Sequence, residues 1–166
     1  MDGNLRRSKI IELLKSTDNA TSASKLAKSF GVSRQIIVGD IALLRARGEA
    51  IIASSKGYTY NPYSSGMSFI VAVNHSNDRT QEEIQLLIDH DVTLVNVIVS
   101  HPIYGELVGN LNIKTKQDLE DFLNLDGTLL STLTDGVHLH TIICKDEEHF
   151  NRVKEALKEK NFLYQN

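Results

Sequence analysis

The stretch Gly31-Val32-Ser33-Arg34-Gln35-Ile36-Ile37 decides the fold of the first part of the chain. Gly31 is a residue type that ends a helix, and Ser33 is one that caps the start of the next helix. Apolar residues at helical spacing lie on both sides of this turn. A short helix, a turn containing glycine and a second helix form a helix-turn-helix. The predicted inward-facing residues of the two helices are Leu26, Ala27, Phe30, Ile37, Ile41 and Leu44.

The flanking segments extend this motif to a winged helix. Residues 5–16 have the pattern of an amphipathic helix that precedes the motif. After Gly48, Ile51-Ile52-Ala53 and Tyr58-Thr59-Tyr60 predict two short strands around a turn, which form a β-wing. The sequence therefore predicts a winged-helix DNA-binding domain over residues 1–62.

The second helix of the motif is the predicted recognition helix. Arg34 and Gln35 lie at its N-terminal end and are expected to contact base edges, because guanidinium suits guanine and a carboxamide suits adenine. Basic side chains elsewhere are expected to contact phosphates, although any single lysine is better explained as a solvated surface charge. The predicted DNA-binding residues are Ser33, Arg34, Gln35, Val38, Arg45, Arg47 and Lys56, with Arg6, Arg7 and Lys25 as further phosphate contacts.

The balance of charged residues changes at the end of the predicted winged helix, after residue 62. Residues 1–62 contain ten Lys and Arg against five Asp and Glu, and the rest of the chain contains eight against sixteen. This asymmetry indicates a polyanion-binding domain joined to a domain with another partner.

The single cysteine, Cys144, excludes an internal disulfide and a Cys-rich zinc module. With no apolar run near the ~18 residues of a membrane span and no signal peptide, we expect a cytoplasmic protein.

Residues 69–166 alternate strand and helix patterns after a polar linker at residues 63–68. The order βαββαβ followed by a helix is typical of a ferredoxin-like split βαβ sandwich, so the predicted fold class is α+β. Because helices cover only one face of such a sheet, we expect the other face to meet a second copy in a homodimer. The predicted strands are residues 69–73, 93–99, 106–113 and 138–144, and the predicted helices are residues 80–90, 116–125 and 146–160.

His138 and His140 are two residues apart in the last predicted strand, so both project from one face. This is the spacing of two metal ligands, and equally that of two histidines packed at the end of a strand. His75 ends the first strand and Glu83 begins the next helix, so both can lie at the same sheet edge. Three imidazoles and a carboxylate suit zinc, nickel or iron with coordination positions left open. Glu83 has an alternative role, because Thr80-Gln81-Glu82-Glu83 has the pattern of a capping box.

The remaining candidates for ligands are weaker. Cys144 lies four residues beyond His140 and is expected to be a buried core thiol. His90 and His149 are expected to be exposed to solvent, the first near a helix C-terminus and the second on a charged helical face.

Three groups of residues resemble a known family. They are residues 31–46 with Lys56-Gly57-Tyr58, then His101-Pro102-Ile103-Tyr104-Gly105-Glu106, and Gly136-Val137-His138-Leu139-His140. Together they resemble the niacin-responsive repressors of NAD biosynthesis genes, in which a winged helix precedes a three-histidine regulatory domain. The resemblance covers nearly the whole chain. It implies a divalent metal, nickel or zinc, held by His75, Glu83, His138 and His140, and nicotinic acid as co-repressor.

His101 and Tyr104 are the candidates for effector binding. Pro102 forces an extended backbone at His101, which with Tyr104 can present a hydrogen-bonding group and a ring to a small aromatic acid. We therefore interpret the chain as a dimeric repressor that binds a palindromic operator and is not an enzyme. Two alternatives remain at this stage. One is a metal-responsive regulator whose signal is the ion, and the other is a small metal-dependent hydrolase fused to a DNA anchor.

Overall fold

The computed structural model describes residues 1–63 and 65–164. The chain forms two compact units, Met1–Ser64 and Ser65–Asn166. No helix in the described part of the chain is long and apolar enough to cross a membrane.

The first unit is a winged helix, as predicted. Its helices are α1 (Gly3–Lys15), α2 (Ala23–Phe30) and α3 (Arg34–Ala46), and an antiparallel hairpin of β1 (Ile51–Ser54) and β2 (Gly57–Tyr60) follows. Ser22 and Ser33 cap α2 and α3 by accepting hydrogen bonds from the backbone N–H groups of Lys25 and Ile36. Gly31 has φ +63°, the left-handed conformation that ends α2 before the turn. The predicted helix starts, turn and wing are therefore confirmed.

The core of this unit is built from the apolar faces of all three helices and the first wing strand. Its fully buried members include Ile10, Leu14, Leu26, Ile37 and Ile51. Burial of such side chains from several elements is what holds short helices together, since helices of this length are marginal alone.

The second unit contains a four-stranded antiparallel sheet. Its strands are β3 (Met67–Asn74), β4 (Thr93–His101), β5 (Gly105–Ile113) and β6 (Val137–Cys144). Its helices are α4 (Thr80–Asp89), α5 (Lys116–Leu123) and α6 (Glu147–Glu159), with short 3-10 helices at Asn77–Arg79 and Leu130–Thr134. This βαββαβα order confirms the predicted α+β class.

The strand order is β3-β6-β4-β5. Both βαβ units are split, because β6 lies between β3 and β4, and β4 lies between β5 and β6. In a ferredoxin-like sheet the first and third strands are central, whereas here the second and fourth are. The central strands β4 and β6 contain more buried residues than the edge strands β3 and β5, and polar positions of β5 such as Glu106 and Asn110 are exposed at the edge.

The first strand of this sheet begins within the predicted linker. Met67 and Ser68 pair with Cys144 and Ile143 of β6, because the ladder extends along the full length of β6. The predicted linker at residues 63–68 is therefore shorter than expected, and its Ser64 lies outside the described residues, as do Gln165 and Asn166 at the chain end.

A short tail after α6 closes the outer edge of β3. Asn74 N–H donates to the Phe162 carbonyl, Tyr164 N–H donates to the Ala72 carbonyl, and Leu163 bridges Val73. The Phe162 side chain is fully buried in the core beneath the sheet. This pairing satisfies backbone groups that a free edge strand would expose.

Helices α4 and α6 pack on one face of the sheet, over Val71, Val73 and Ile142. The opposite face carries an apolar row across all four strands, since the register aligns Ala72 with Leu139, Leu139 with Ile98, and Ile98 with Val108. Val108 and nearby Ile70 are more than half exposed. The unit thus has one face covered by helices and an opposite face whose apolar residues are exposed at Val108 and Ile70 and buried at Ile98.

Candidate metal centre and nucleic-acid interface

Four side chains meet on the helix-covered face of the sheet of the second unit, beside the end of β3. His138 and His140 project from one face of β6, His75 follows the end of β3, and Glu83 lies in the first turn of α4. All four are buried, and Glu83 is only 1% exposed. The structure therefore brings together the four residues that the sequence pattern and the resemblance singled out.

The Glu83 carboxylate lies at the middle of the three imidazoles. Its Oε2 is 2.5 Å from His75 Nε2 and 3.7 Å from His138 Nε2, and its Oε1 is 2.7 Å from His140 Nε2. The Nε2 atoms of His138 and His140 are 3.1 Å apart. All three rings thus direct Nε2 toward the Glu83 carboxylate, and the ligand atoms of His75, Glu83 and His138 all lie within 4.8 Å of one another.

The other nitrogen of each ring is held by the backbone. The Nδ1 atoms of His75, His138 and His140 lie 2.7–2.8 Å from the carbonyl oxygens of Ser76, Gly136 and Asn96, respectively. A carbonyl only accepts, so each Nδ1 carries the proton, and each neutral ring presents an Nε2 lone pair. Histidine ligands of metals are oriented in the same way, by a hydrogen bond from the ring nitrogen that does not bind the metal.

When all three rings are neutral, four hydrogen-bonding groups therefore converge as acceptors without a donor between them. His75 Nε2 and Glu83 Oε2 are buried and lack a well-aligned hydrogen bond within the described residues. Buried acceptors facing one another are costly unless a proton or a cation lies between them. The donor set of three imidazoles and one carboxylate fits a divalent transition metal.

The electrostatics of the metal-free cluster agree with this arrangement. Burial opposes a charge on His75, but hydrogen bonding of the protonated ring to Glu83 and charge attraction to that carboxylate outweigh burial and raise the pKa of the ring. Burial likewise opposes ionisation of Glu83, but the imidazoles, led by His140, hold the pKa of the carboxyl well below its usual range. Without a metal, the carboxylate stays ionised and His75 takes up a proton more readily than a free imidazole does.

The alternative capping role of Glu83 is wrong. Arg79, not Thr80, occupies the N-cap position of α4 and makes no side-chain cap hydrogen bond, because the 3-10 turn Asn77–Arg79 leads directly into the helix. Glu83 points inward instead. A capping box does exist in this unit, between Thr115 and Asp118 at the start of α5.

A cavity of about 190 Å³ opens beside the cluster. His75, Glu83, His138 and His140 all contribute to its wall. The Thr80 hydroxyl, also in the wall, is buried without a hydrogen-bond partner among the described residues. The rest is mostly apolar, and its larger side chains are Ile84, Val97, Leu111, Phe122, Leu129 and Leu130. An apolar cavity with a few convergent polar groups is typical of a small-molecule site.

His101 and Tyr104 lie at the tip of the β4–β5 hairpin and are not among the residues that line this cavity. His101 Nδ1 accepts hydrogen bonds from the backbone N–H groups of Ile103 and Tyr104, at 3.1 and 3.3 Å. The two rings are 5.0 Å apart, and Tyr104 is exposed. They form a small exposed platform of their own, separate from the cavity wall.

The structure agrees with the prediction for Cys144 and contradicts the prediction for His149. Cys144 is buried, and burial raises the pKa of its thiol to about 11, as expected for a core residue. His149, in contrast, is only 8% exposed, so its predicted exposure is wrong. Its Nε2–H donates to the His90 carbonyl at 2.5 Å, and its Nδ1 accepts from Lys145 N–H, which joins α6 to the end of α4. His90 is half-buried and hydrogen-bonds the Leu86 carbonyl.

The recognition helix α3 presents Arg34 and Gln35 to solvent at its N-terminal end, and Arg45 and Arg47 are exposed at the other end. Ser33 caps the helix, and Lys56 is half-buried at the wing turn. Val38 packs partly against the core, which leaves less of it available to DNA. An exposed basic helix N-terminus of this kind is suited to contact bases in the major groove.

Asp40 is a residue whose role the sequence did not indicate. It is 3% exposed on the inner side of α3, where Arg6 Nε lies 2.6 Å and Arg7 Nη1 2.9 Å from its carboxylate. Burial opposes ionisation of Asp40, but the two guanidinium groups lower the pKa of the carboxyl. Arg6 and Arg7 therefore fasten α1 to the recognition helix, which makes their predicted role as phosphate contacts secondary.

Comparisons with known proteins agree with both units. The 3H domain family matches residues 68–166, and an HTH domain family matches residues 6–59. The chain is 37% identical to a transcription repressor, NadR, of Bacillus subtilis, over 95% of this chain and 92% of the relative. It is 39% identical to a probable transcription repressor, NiaR, of Thermotoga maritima, over 95% and 93% of the two chains. The chain belongs to the 3H-domain transcription repressors.

Membership of the 3H-domain repressors removes the hydrolase alternative, because the relatives that match along nearly their whole length are named as transcription repressors. The second unit of this 3H-domain repressor is thus a domain attached to a DNA reader, not a catalytic module.

Proposed function

We propose that this 3H-domain repressor controls genes of NAD biosynthesis or niacin salvage and uptake, with nicotinic acid as its co-repressor. The acid would be sensed at a nickel or zinc site formed by His75, Glu83, His138 and His140. The observation that carries the proposal is the convergence of three Nε2 lone pairs and one carboxylate beside a buried cavity. We propose a cytoplasmic location, because its partner is operator DNA.

The cavity suits a small aromatic acid. Its volume of about 190 Å³ exceeds that of an apolar cavity of about 150 Å³ that binds benzene in an engineered protein. A divalent metal would supply an open coordination position for an anionic or heteroaromatic group. Thr80 provides a hydroxyl that has no hydrogen-bond partner in the described part of the chain, and Phe122 and Leu129 provide apolar contacts for a ring.

The predicted effector contacts His101 and Tyr104 stay in the proposal as a second candidate surface. Their platform lies at the hairpin tip, so a ligand in the cavity and a ligand on the platform would respond to different substitutions. Thr80→Val removes the hydroxyl in the cavity wall, and His101→Ala removes the platform. The loss of nicotinate affinity in one variant and not the other identifies the surface that is used.

We propose a homodimer that binds a palindromic operator with two copies of α3. Support comes from the apolar row on the open sheet face, which a second copy can cover, and from the exposed Arg34 and Gln35. Effector binding would favour the spacing of the two recognition helices that fits the half-sites, as a shift between existing states.

A DNA shift assay tests the proposal, with metal-loaded and chelated protein, each with and without nicotinate, on the promoter fragment upstream of its own gene or of niacin uptake genes. We expect tight binding only for metal-loaded protein with nicotinate. Binding that responds to metal alone would favour the second candidate, a regulator whose signal is the ion, for which the donor-free cluster of acceptors is the supporting observation. A response to neither would remove the sensor function.

A further inference from the structure

Asn96 lies where the hydrogen-bond ladder between β4 and β6 is interrupted. Leu94 pairs with Ile142 and Ile98 with Leu139, so three residues of β4 face two residues of β6. One extra residue on one strand is a β-bulge, a device that redirects side chains next to functional sites. Asn96 is the middle residue of the three.

At the bulge, the side chain of Asn96 replaces its backbone carbonyl as the hydrogen-bond acceptor between β4 and β6. Thr141 N–H points toward β4 and donates to the Asn96 side-chain Oδ1 at 2.9 Å. The backbone carbonyl of Asn96 instead accepts from His140 Nδ1 at 2.7 Å. The amide side chain thus takes over the acceptor role in the ladder and leaves its own carbonyl to the imidazole.

On the other side of β4, the pairing with β5 is also irregular. Leu94 pairs with Ile113 and Asn96 with Asn110, so β5 has an extra residue there, and Asn112 adopts φ +50°. The backbone at Asn96 is therefore displaced relative to both neighbouring strands. This explains how its carbonyl reaches a side chain on β6 instead of a backbone N–H.

We propose that Asn96 is a positioning residue for the cluster, which holds His140 as the Nδ1–H tautomer with Nε2 directed at Glu83. The inference rests on the proposed metal site but concerns a residue outside it. In an Asn96→Ala variant, Thr141 N–H loses its acceptor and competes for the Asn96 carbonyl. His140 then loses the hydrogen bond that fixes its tautomer and ring orientation. Asn96→Asp keeps an oxygen for Thr141 N–H and should preserve the arrangement.

Zinc titration calorimetry on the full chain tests this role. Loss of the outer partners of metal ligands weakens metal binding by about 10–100-fold, so Asn96→Ala should bind zinc that much more weakly, whereas Asn96→Asp should stay within a few-fold of wild type. Val153→Ala is the control for general destabilisation, because Val153 on α6 is buried in the core of the same unit and does not line the cavity beside the cluster. It should lower stability and leave zinc affinity unchanged. Equal zinc affinity in wild type and Asn96→Ala, or equal loss in the alanine and aspartate variants, overturns the proposal.

The imidazole ¹⁵N spectrum of metal-free protein at alkaline pH supplies an independent measurement. Wild-type His140 should show a protonated Nδ1 and an unprotonated Nε2, and Asn96→Ala should show a mixture of tautomers. An Nε2–H tautomer in wild type refutes the role of Asn96 even if the alanine variant does not fold. A wild-type chain that binds no zinc contradicts the proposed function, while this spectrum still decides the role of Asn96.

Discussion

Replacement of Glu83 by glutamine should separate metal binding from folding. The substitution removes the only anionic group among the four converging side chains and keeps the side-chain volume. A carboxamide also offers an N–H donor to one of the imidazole lone pairs, so the metal-free variant should fold. The same change removes the charge that raises the pKa of His75.

The expected size of the effect follows from binding linkage. A ligand that binds only the folded state at one hundred times its Kd adds about 2.7 kcal/mol to the free energy of unfolding. The second unit contains close to a hundred residues, for which each kcal/mol shifts Tm by ~4–8 °C. Saturating zinc or nickel should therefore raise the Tm of the wild-type unit by about 10–20 °C, and Glu83→Gln should lose most of that shift.

Differential scanning calorimetry with chelator and with excess metal measures this shift. Glu82→Gln is the matched control, because Glu82 is the neighbouring carboxylate, its side chain is 51% exposed, and it pairs only loosely with Arg79 at 3.3 Å. It should keep the full metal-dependent shift. A Glu83→Gln protein that retains the wild-type shift, or a Glu82→Gln protein that loses it, would refute the reasoning.

Three further predictions concern pH, the winged helix and the cluster backbone. Zinc affinity should fall as the pH drops, beginning above the ordinary imidazole pKa of 6.5, because the metal must displace a proton from His75, whose pKa is raised. The stability of the metal-free protein should change in the opposite direction. The contribution of the protonated His75 ring is fully present below pH 6.5 and is lost as the pH rises through the raised pKa. Calorimetry in buffers of different ionisation enthalpy counts the released proton. Asp40→Ala should lower the free energy of unfolding of the winged helix, measured in urea, by about 1–3 kcal/mol, because Arg6 and Arg7 lose their shared carboxylate, whereas Asp18→Ala at an exposed site should cost little. Gly136→Ala should abolish zinc binding, because a Cβ there, at φ +93°, overlaps the His75 carbonyl, while Gly105→Ala, with open space around it, should not.

Much of the fold could be predicted from the sequence, because local chemistry determined it. Ser22, Ser33 and Gly31 have side chains or backbone freedom that act within a few residues, so the caps and the turn of the winged helix were readable. The strands and helices of the second unit also follow from apolar periodicity. The exchange of central and edge strands could not be predicted, because strand order depends on contacts distant in sequence.

The same distinction between local and long-range contacts applies to the candidate site. His138 and His140 were found because residues two apart in one strand share a face. Glu83 had two possible roles, metal ligand and helix cap, and only its inward orientation in the structure decides between them. Asp40 and Asn96 were missed, since each acts through partners more than thirty residues away. The signal for Asp40 was a carboxylate at an inward-facing helical position, which requires a buried cation as partner.

The three backbone carbonyls that hold the imidazoles have a consequence for engineering. The carbonyls of Ser76, Gly136 and Asn96 are main-chain groups, so no substitution deletes them directly. A designer who copied only the three histidines and the glutamate onto another scaffold would transfer the ligands without the geometry that aims them. Transplanting this centre requires the path of the chain itself, including its glycine turn and its irregular strand.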